Sequence, residues 1–64
     1  MVLLFLRILP GKIWYLKFLL EGYDGLAMLT TIEADQGLVR LAVPESRVSE
    51  VFRLLENLAG ELAA

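Results

Sequence analysis

The chain contains no cysteine and no histidine. That removes disulfides, thiolate nucleophiles, imidazole bases and zinc sites built from Cys and His. A surplus of positive charge is also missing: eight acids stand against six bases, a net charge of −2. Nucleic acid asks for a basic face, so it is not an expected partner. Charged residues are only 22% of the whole, while 58% are hydrophobic. All of this is carried by 64 residues, enough for one domain spanning 1–64. A chain of that size buries only about 60% of the surface it exposes when unfolded. So much apolar material on so small a body points to association.

The longest apolar stretch, Val2 to Leu20, invites a test as a membrane span. It holds 12 Leu, Ile, Val or Phe, contributing roughly −4 to −7 kcal/mol to insertion. Arg7, Lys12 and Lys17 oppose this by about 7–10 kcal/mol in total at the bilayer centre, and Pro10-Gly11 breaks the middle. A secretory signal places its cations ahead of the apolar stretch; here they follow Met1–Leu6. No membrane partner is expected, and the default compartment is the cytoplasm.

Read for local structure, Val2–Leu9 is a short strand-compatible run stopped by Pro10-Gly11. Both of its faces are apolar, the pattern of a strand covered on both sides. Lys12–Glu21 has Ile13, Leu16 and Leu20 at helical spacing, with Lys17 and Glu21 four apart on the other side. Trp14 and Phe18 fall on that same polar side. Gly22 suits the left-handed position that ends a helix, and Asp24-Gly25 makes a turn. Leu26–Glu33 and Leu38–Val43 form a hairpin around Ala34-Asp35-Gln36-Gly37, with Gly37 left-handed. The expected register sets Ile32 opposite Val39, Thr30 opposite Leu41 and Met28 opposite Val43 on the core face. Glu33 then meets Leu38, Thr31 meets Arg40 and Leu29 meets Ala42 on the other. Pro44 opens a last helix, with Val48, Val51, Phe52, Leu55, Leu58 and Leu62 as its apolar stripe and Gly60 fraying its end.

The fold class is therefore α+β, in the order β-α-β-β-α: a three-stranded sheet with two helices on one face, a ferredoxin-like half. The other sheet face has no cover within the chain. It carries Leu3, Phe5, Leu9, Leu29, Leu38 and Ala42 around Arg7, Thr31 and Arg40, and an open apolar face of that size marks an interface. Its simplest cover is a second copy, giving a homodimer. Edge-to-edge strand pairing is the rival geometry.

The run Tyr15-Leu16-Lys17-Phe18-Leu19-Leu20-Glu21-Gly22-Tyr23-Asp24-Gly25-Leu26-Ala27, followed by Thr30-Thr31, resembles a small bacterial family of uncharacterised proteins. That resemblance implies no activity. Pro10-Gly11, between a first strand and a first helix, resembles the ACT domain, a regulatory module of ferredoxin-like fold. The likeness implies amino-acid binding near the strand-to-helix loop, at a dimer interface.

Each candidate site has a functional and a plain structural reading. Pro10, Gly11 and Lys12 offer backbone N–H groups and a cation to a small anion, or simply connect a strand to a helix. Tyr23 and Asp24 form a polar clamp, with Glu21 near enough to make an oxygen site for Mg²⁺ or Ca²⁺, or they form a turn. No metal or cofactor follows from so few ligands. Trp14 and Phe18 are anchors for a protein partner, or they cap the edge of the core. Arg7 and Arg40 hold a carboxylate or small anion across a dimer seam, or join a rim ion pair with Glu33 or with an acid of a partner. Ser46 and Ser49 lack a base and read as capping and surface residues. With no activated nucleophile or tuned acid–base pair, no enzyme is expected. The expected protein is a small non-catalytic homodimeric interaction or regulatory module. The alternative is an ACT-like binder of an amino acid or anion.

Overall fold

The apolar segments sort themselves around one strand. The computed structural model describes residues 1–22 and 25–63. Within them lie β1 (Val2–Arg7), α1 (Ile13–Gly22), β2 (Met28–Glu33), β3 (Leu38–Val43) and α2 (Val48–Leu62). Short 3-10 turns at Pro10–Lys12, Ala34–Gln36 and Glu45–Arg47 lead into α1, β3 and α2. The sheet order is β1-β3-β2 with both pairs antiparallel. β1 and β2 therefore run the same way with β3 inserted between them. This is a split β-α-β arrangement: the parallel run of β1 and β2 follows from the element order, and the place of β3 between them does not.

Both helices lie against one face of the sheet. Leu16 and Leu20 of α1 and Val51 and Leu62 of α2 pack with Leu29, Val39, Leu41 and Val43 of the strands. Leu4 and Leu6 of β1 join this inner side, half-buried. No polar or charged residue is buried among the described residues, so the core incurs no polar desolvation penalty. Each fully buried Leu or Val contributes about 1.5–3 kcal/mol. The accessible surface is 4110 Å², matching the roughly 4,100 Å² expected of a compact monomer of this mass. The apolar groups left outside are thus a surplus of composition, not a sign of loose packing.

Several sequence expectations are corrected. β1 ends at Arg7 rather than Leu9, and only its inner face is covered. α1 begins one residue later than expected and includes Gly22. The left-handed glycines are Gly25 and Gly37, not Gly22. α2 continues through Gly60 to Leu62, and its first cap makes no side-chain hydrogen bond, so neither serine caps it. Phe52 turns out of the stripe, 47% exposed, while Leu54 packs against the core.

The largest correction concerns the hairpin. Glu33 pairs with Leu38 as expected, but a bulge at Ile32 shifts everything beyond it. Thr31 meets Val39, Thr30 meets Arg40, Leu29 meets Leu41 and Met28 meets Ala42. One extra residue on a strand turns each later side chain to the opposite face. Leu29 is therefore a core residue, 3% exposed, not part of an interface. Thr31 follows it to the inner side. Met28 and Thr30 take their places outside.

Gly37 closes the loop with φ +68° and donates its N–H to the Ala34 carbonyl at 3.0 Å. Its carbonyl accepts from the Ile8 N–H at 2.8 Å. A Cβ at this position would overlap the Ile8 carbonyl oxygen. Gly37→Ala is expected to cost about 3–5 kcal/mol, combining strained backbone with a displaced strand. Gly11→Ala, where added bulk meets nothing, should stay within about 0.5 kcal/mol. Urea denaturation followed by circular dichroism compares the two.

The bulge supplies a second test. Leu29→Asp buries an unpaired carboxylate and should abolish the folded circular dichroism spectrum. Met28→Asp, which faces outward, should retain it. The unbulged register demands the reverse.

Candidate interaction surfaces

The register builds the outer sheet face as three rows across β1, β3 and β2. Leu3, Ala42 and Met28 form the first row, and Phe5, Arg40 and Thr30 the second. Arg7, Leu38 and Glu33 form the third. Exposure confirms that this side is bare: Leu3 is 52%, Phe5 60% and Met28 66% exposed. Leu9 lies past the end of β1, donates its N–H to the Leu62 carbonyl at 2.9 Å and adds apolar surface at that rim.

Polar groups on this face are few and unevenly placed. Arg7 and Glu33 occupy opposite corners of one row, separated by Leu38. Neither takes part in the ion pairs found among the described residues, which join the Met1 amino group to Glu45, Lys17 to Glu21 and Arg47 to Glu50. A rim pair of Arg7 or Arg40 with Glu33 is therefore not formed within the chain. Arg40 sits at the centre, on the one strand paired along both edges. Its Nε is enclosed and meets no hydrogen-bond acceptor among the described residues. A buried donor in that condition costs about 1–3 kcal/mol.

The exposed side of α1 forms a second surface. Burial of Leu16 and Leu20 leaves Trp14 69% and Phe18 68% exposed, one helical turn apart. With Lys17, Glu21 and Gly22 they line a shallow groove of about 320 Å³. Lys17 and Glu21 pair at 3.4 Å within it. The core-edge reading of the two aromatics is excluded by their exposure. At the base of the helix, Trp14 stands edge-on to Tyr15, ring centres 6.3 Å apart, and the Lys12 Nζ lies 5.2 Å over the Tyr15 ring. Desolvation, with a smaller contribution from the Glu61 carboxylate, holds the Tyr15 phenol above its usual pKa.

The remaining sequence candidates are not assembled into a site. Pro10, Gly11 and Lys12 make a three-residue 3-10 turn that runs directly into α1, with the Lys12 N–H donated to the Leu9 carbonyl at 2.8 Å. The residue ahead of Leu9-Pro10-Gly11 is Ile8, packed in the core at 4% exposure. Tyr23 and Asp24 lie outside the described residues, so the clamp and the Glu21–Asp24 oxygen site do too. Among the described residues no group of three or more acidic side chains converges as for a metal. None of their helices is long and apolar enough to cross a membrane.

A family model described as a domain of unknown function (DUF4911) matches residues 6–62. The chain belongs to this family. No curated protein and no solved structure matches it, and the likeness to the ACT domain finds no support among these comparisons. The matched residues take in α1 with its aromatic side, β2, β3, α2 and the last two residues of β1, while Leu3 and Phe5 of the bare sheet face lie ahead of them.

Sequence reasoning missed Met28 and Thr30 on the outer face. Met28 and Leu29 are both apolar, so alternation alone does not say which turns inward. The phase was taken from Glu33–Leu38 at the loop, and the bulge lies between.

Trp14 is the sole tryptophan, which gives its surface a direct optical readout. In isolated protein its fluorescence should resemble that of indole in water, and acrylamide should quench it nearly as well as free tryptophan. Strong protection in the isolated protein would contradict the exposure of this surface.

Proposed function

We propose that this chain is a non-catalytic interaction module that dimerises through the outer face of its sheet and presents Trp14 and Phe18 to a larger protein partner. The observation that carries the reading is the opposed placement of Arg7 and Glu33 on a face whose other members, apart from Arg40 and Thr30, are apolar. A two-fold axis parallel to the strands lays β1 of one copy over β2 of the other with the rows in step. Leu3 then faces the partner's Met28, and Phe5 faces the partner's Thr30. Arg7 faces the partner's Glu33, twice over. Sheets pack in this aligned manner about 10 Å apart. The face therefore complements itself in the apolar row of Leu3 and Met28 and in charge at its Arg7 and Glu33 corners, the self-matching that an isologous interface requires.

The footprint is modest. Three strands at about 4.8 Å spacing and about 20 Å long cover roughly 300 Å² in projection. Interfaces at the small end of the range are weak or transient, so a micromolar dimer is expected. Trp14 and Phe18 lie on the helical side, away from this seam, and remain free for a different protein. Tryptophan is enriched among residues that dominate binding energy.

One rival geometry has its own support. β1 is paired only with β3, and Leu6 and Arg7 of β1 with Leu55 and Ala59 of α2 line a mostly apolar groove of about 200 Å³. β2, by contrast, has a bulge that discourages edge pairing. Charge exchange separates the two geometries. In the face-to-face dimer Arg7→Glu should weaken association about tenfold, Glu33→Arg should do likewise, and the double exchange should restore most of the loss. Sedimentation equilibrium across the micromolar range reads this out. Edge pairing predicts no restoration. A chain that stays monomeric throughout that range would overturn dimerisation altogether.

A further inference from the structure

The seam has a charge problem at its middle, and its solution implies a ligand. This inference rests on the face-to-face dimer proposed above. Each copy brings Arg7, Arg40 and Glu33 to the face. Once Arg7 and the partner's Glu33 are paired at both ends, two positive charges are left over, and both are Arg40. The two-fold axis runs along β3, so Arg40 of one copy lies over Arg40 of the partner. This position is also the pivot of the sheet-to-sheet twist, so the packing angle does not carry the two side chains apart. Apolar rows and Phe5 flank them, and water is largely displaced.

Two like charges held together in a desolvated seam are strongly unfavourable without a counter-charge. Within a single chain the problem is already visible, because the enclosed Arg40 Nε has no acceptor. The guanidinium fork matches an oxyanion with two parallel hydrogen bonds. We propose that a small doubly charged oxyanion of the phosphate class binds on the two-fold axis, held between the two Arg40 guanidinium groups, and that its binding tightens the dimer. The ligand would be shared, one per two chains. The protein would then be a module whose association reports the concentration of such an anion, free or as the phosphate group of a larger molecule.

The test measures dimerisation by sedimentation equilibrium in constant sodium chloride, with and without about 5 mM inorganic phosphate, too little for general salting-out to matter. Phosphate at ten times its site Kd should tighten the wild-type dimer about tenfold. Arg40→Met should dimerise at least as tightly as wild type in chloride alone, because an apolar side chain replaces an unpaired charge, and should show no response to phosphate. Phosphorus NMR line-broadening on unaltered protein, titrated to saturation, should give one phosphate per two chains. A wild-type dimer indifferent to phosphate would overturn the anion site while leaving the dimer standing. A phosphate response retained in Arg40→Met, or a stoichiometry of one per chain, would overturn it as well. A wild-type chain monomeric with and without phosphate would overturn both readings together. Phenyl phosphate separates the two sources: tightening by it as well as by inorganic phosphate means that the site accepts a substituted group, and tightening by inorganic phosphate alone confines the site to the free ion.

Discussion

The fold turns on a single backbone contact between Gly37 and Ile8. Three segments far apart in sequence converge there. The hairpin loop ends at Gly37, β1 leaves the sheet at Ile8, and the next residue, Leu9, is tied to the carbonyl of Leu62 at the end of α2. Only a residue without a Cβ lets the loop come that close, and only a residue at ease with positive φ closes it. The contact aligns β3 against β1 and β2 at once. With β3 so placed, Val39, Leu41 and Val43 form the floor on which both helices rest.

From that floor the division of surfaces follows. The helices supply enough apolar area to cover one side of a three-stranded sheet and no more. Since 58% of the residues are hydrophobic, the remainder has to appear on the other side of the sheet and on the outward side of α1. Those two surfaces differ in kind. The sheet face carries Arg7 and Glu33 at opposite corners of one row and, at its centre, an arginine whose Nε meets no acceptor among the described residues. The helical surface is a pair of aromatics beside one ion pair. In the proposed reading the first meets a copy of itself and the second a different protein. The charge distribution sharpens the contrast: the first 20 residues contain Arg7, Lys12 and Lys17 and no acid, whereas all eight acids follow.

Much of this was legible without coordinates. A short apolar run ended by Pro10-Gly11 located β1, the loop ending in Gly37 located β2 and β3 as a hairpin, and period-3.6 spacing located both helices, because it reflects burial of one side of a regular backbone. Pro10-Gly11, Gly37 and Pro44 marked the breaks through their restricted or permissive φ. The exposure of Trp14 and Phe18 was implied by Leu16 and Leu20 occupying the other side of the same short helix. Arg7, Arg40, Leu3, Phe5 and Leu38 were assigned to the open face correctly, since β1 and β3 are regular throughout. Leu29 was not, because the bulge at Ile32 is one residue long and leaves no trace in a stretch where neighbours on both faces are apolar.

Element identity, the apolar surplus and the absence of reactive residue types were set by the sequence alone, since each depends on composition or on spacing along one segment. The order β1-β3-β2, the inward turn of Leu29 and the solitary position of Arg40 were decided by tertiary structure. Each depends on which strand lies beside which, and in what register. That choice is made by backbone hydrogen bonds between strands, whose partners stand 31 to 41 residues apart in β1 and β3 and 5 to 14 apart in β2 and β3, and by whether their shared face closes over the helices.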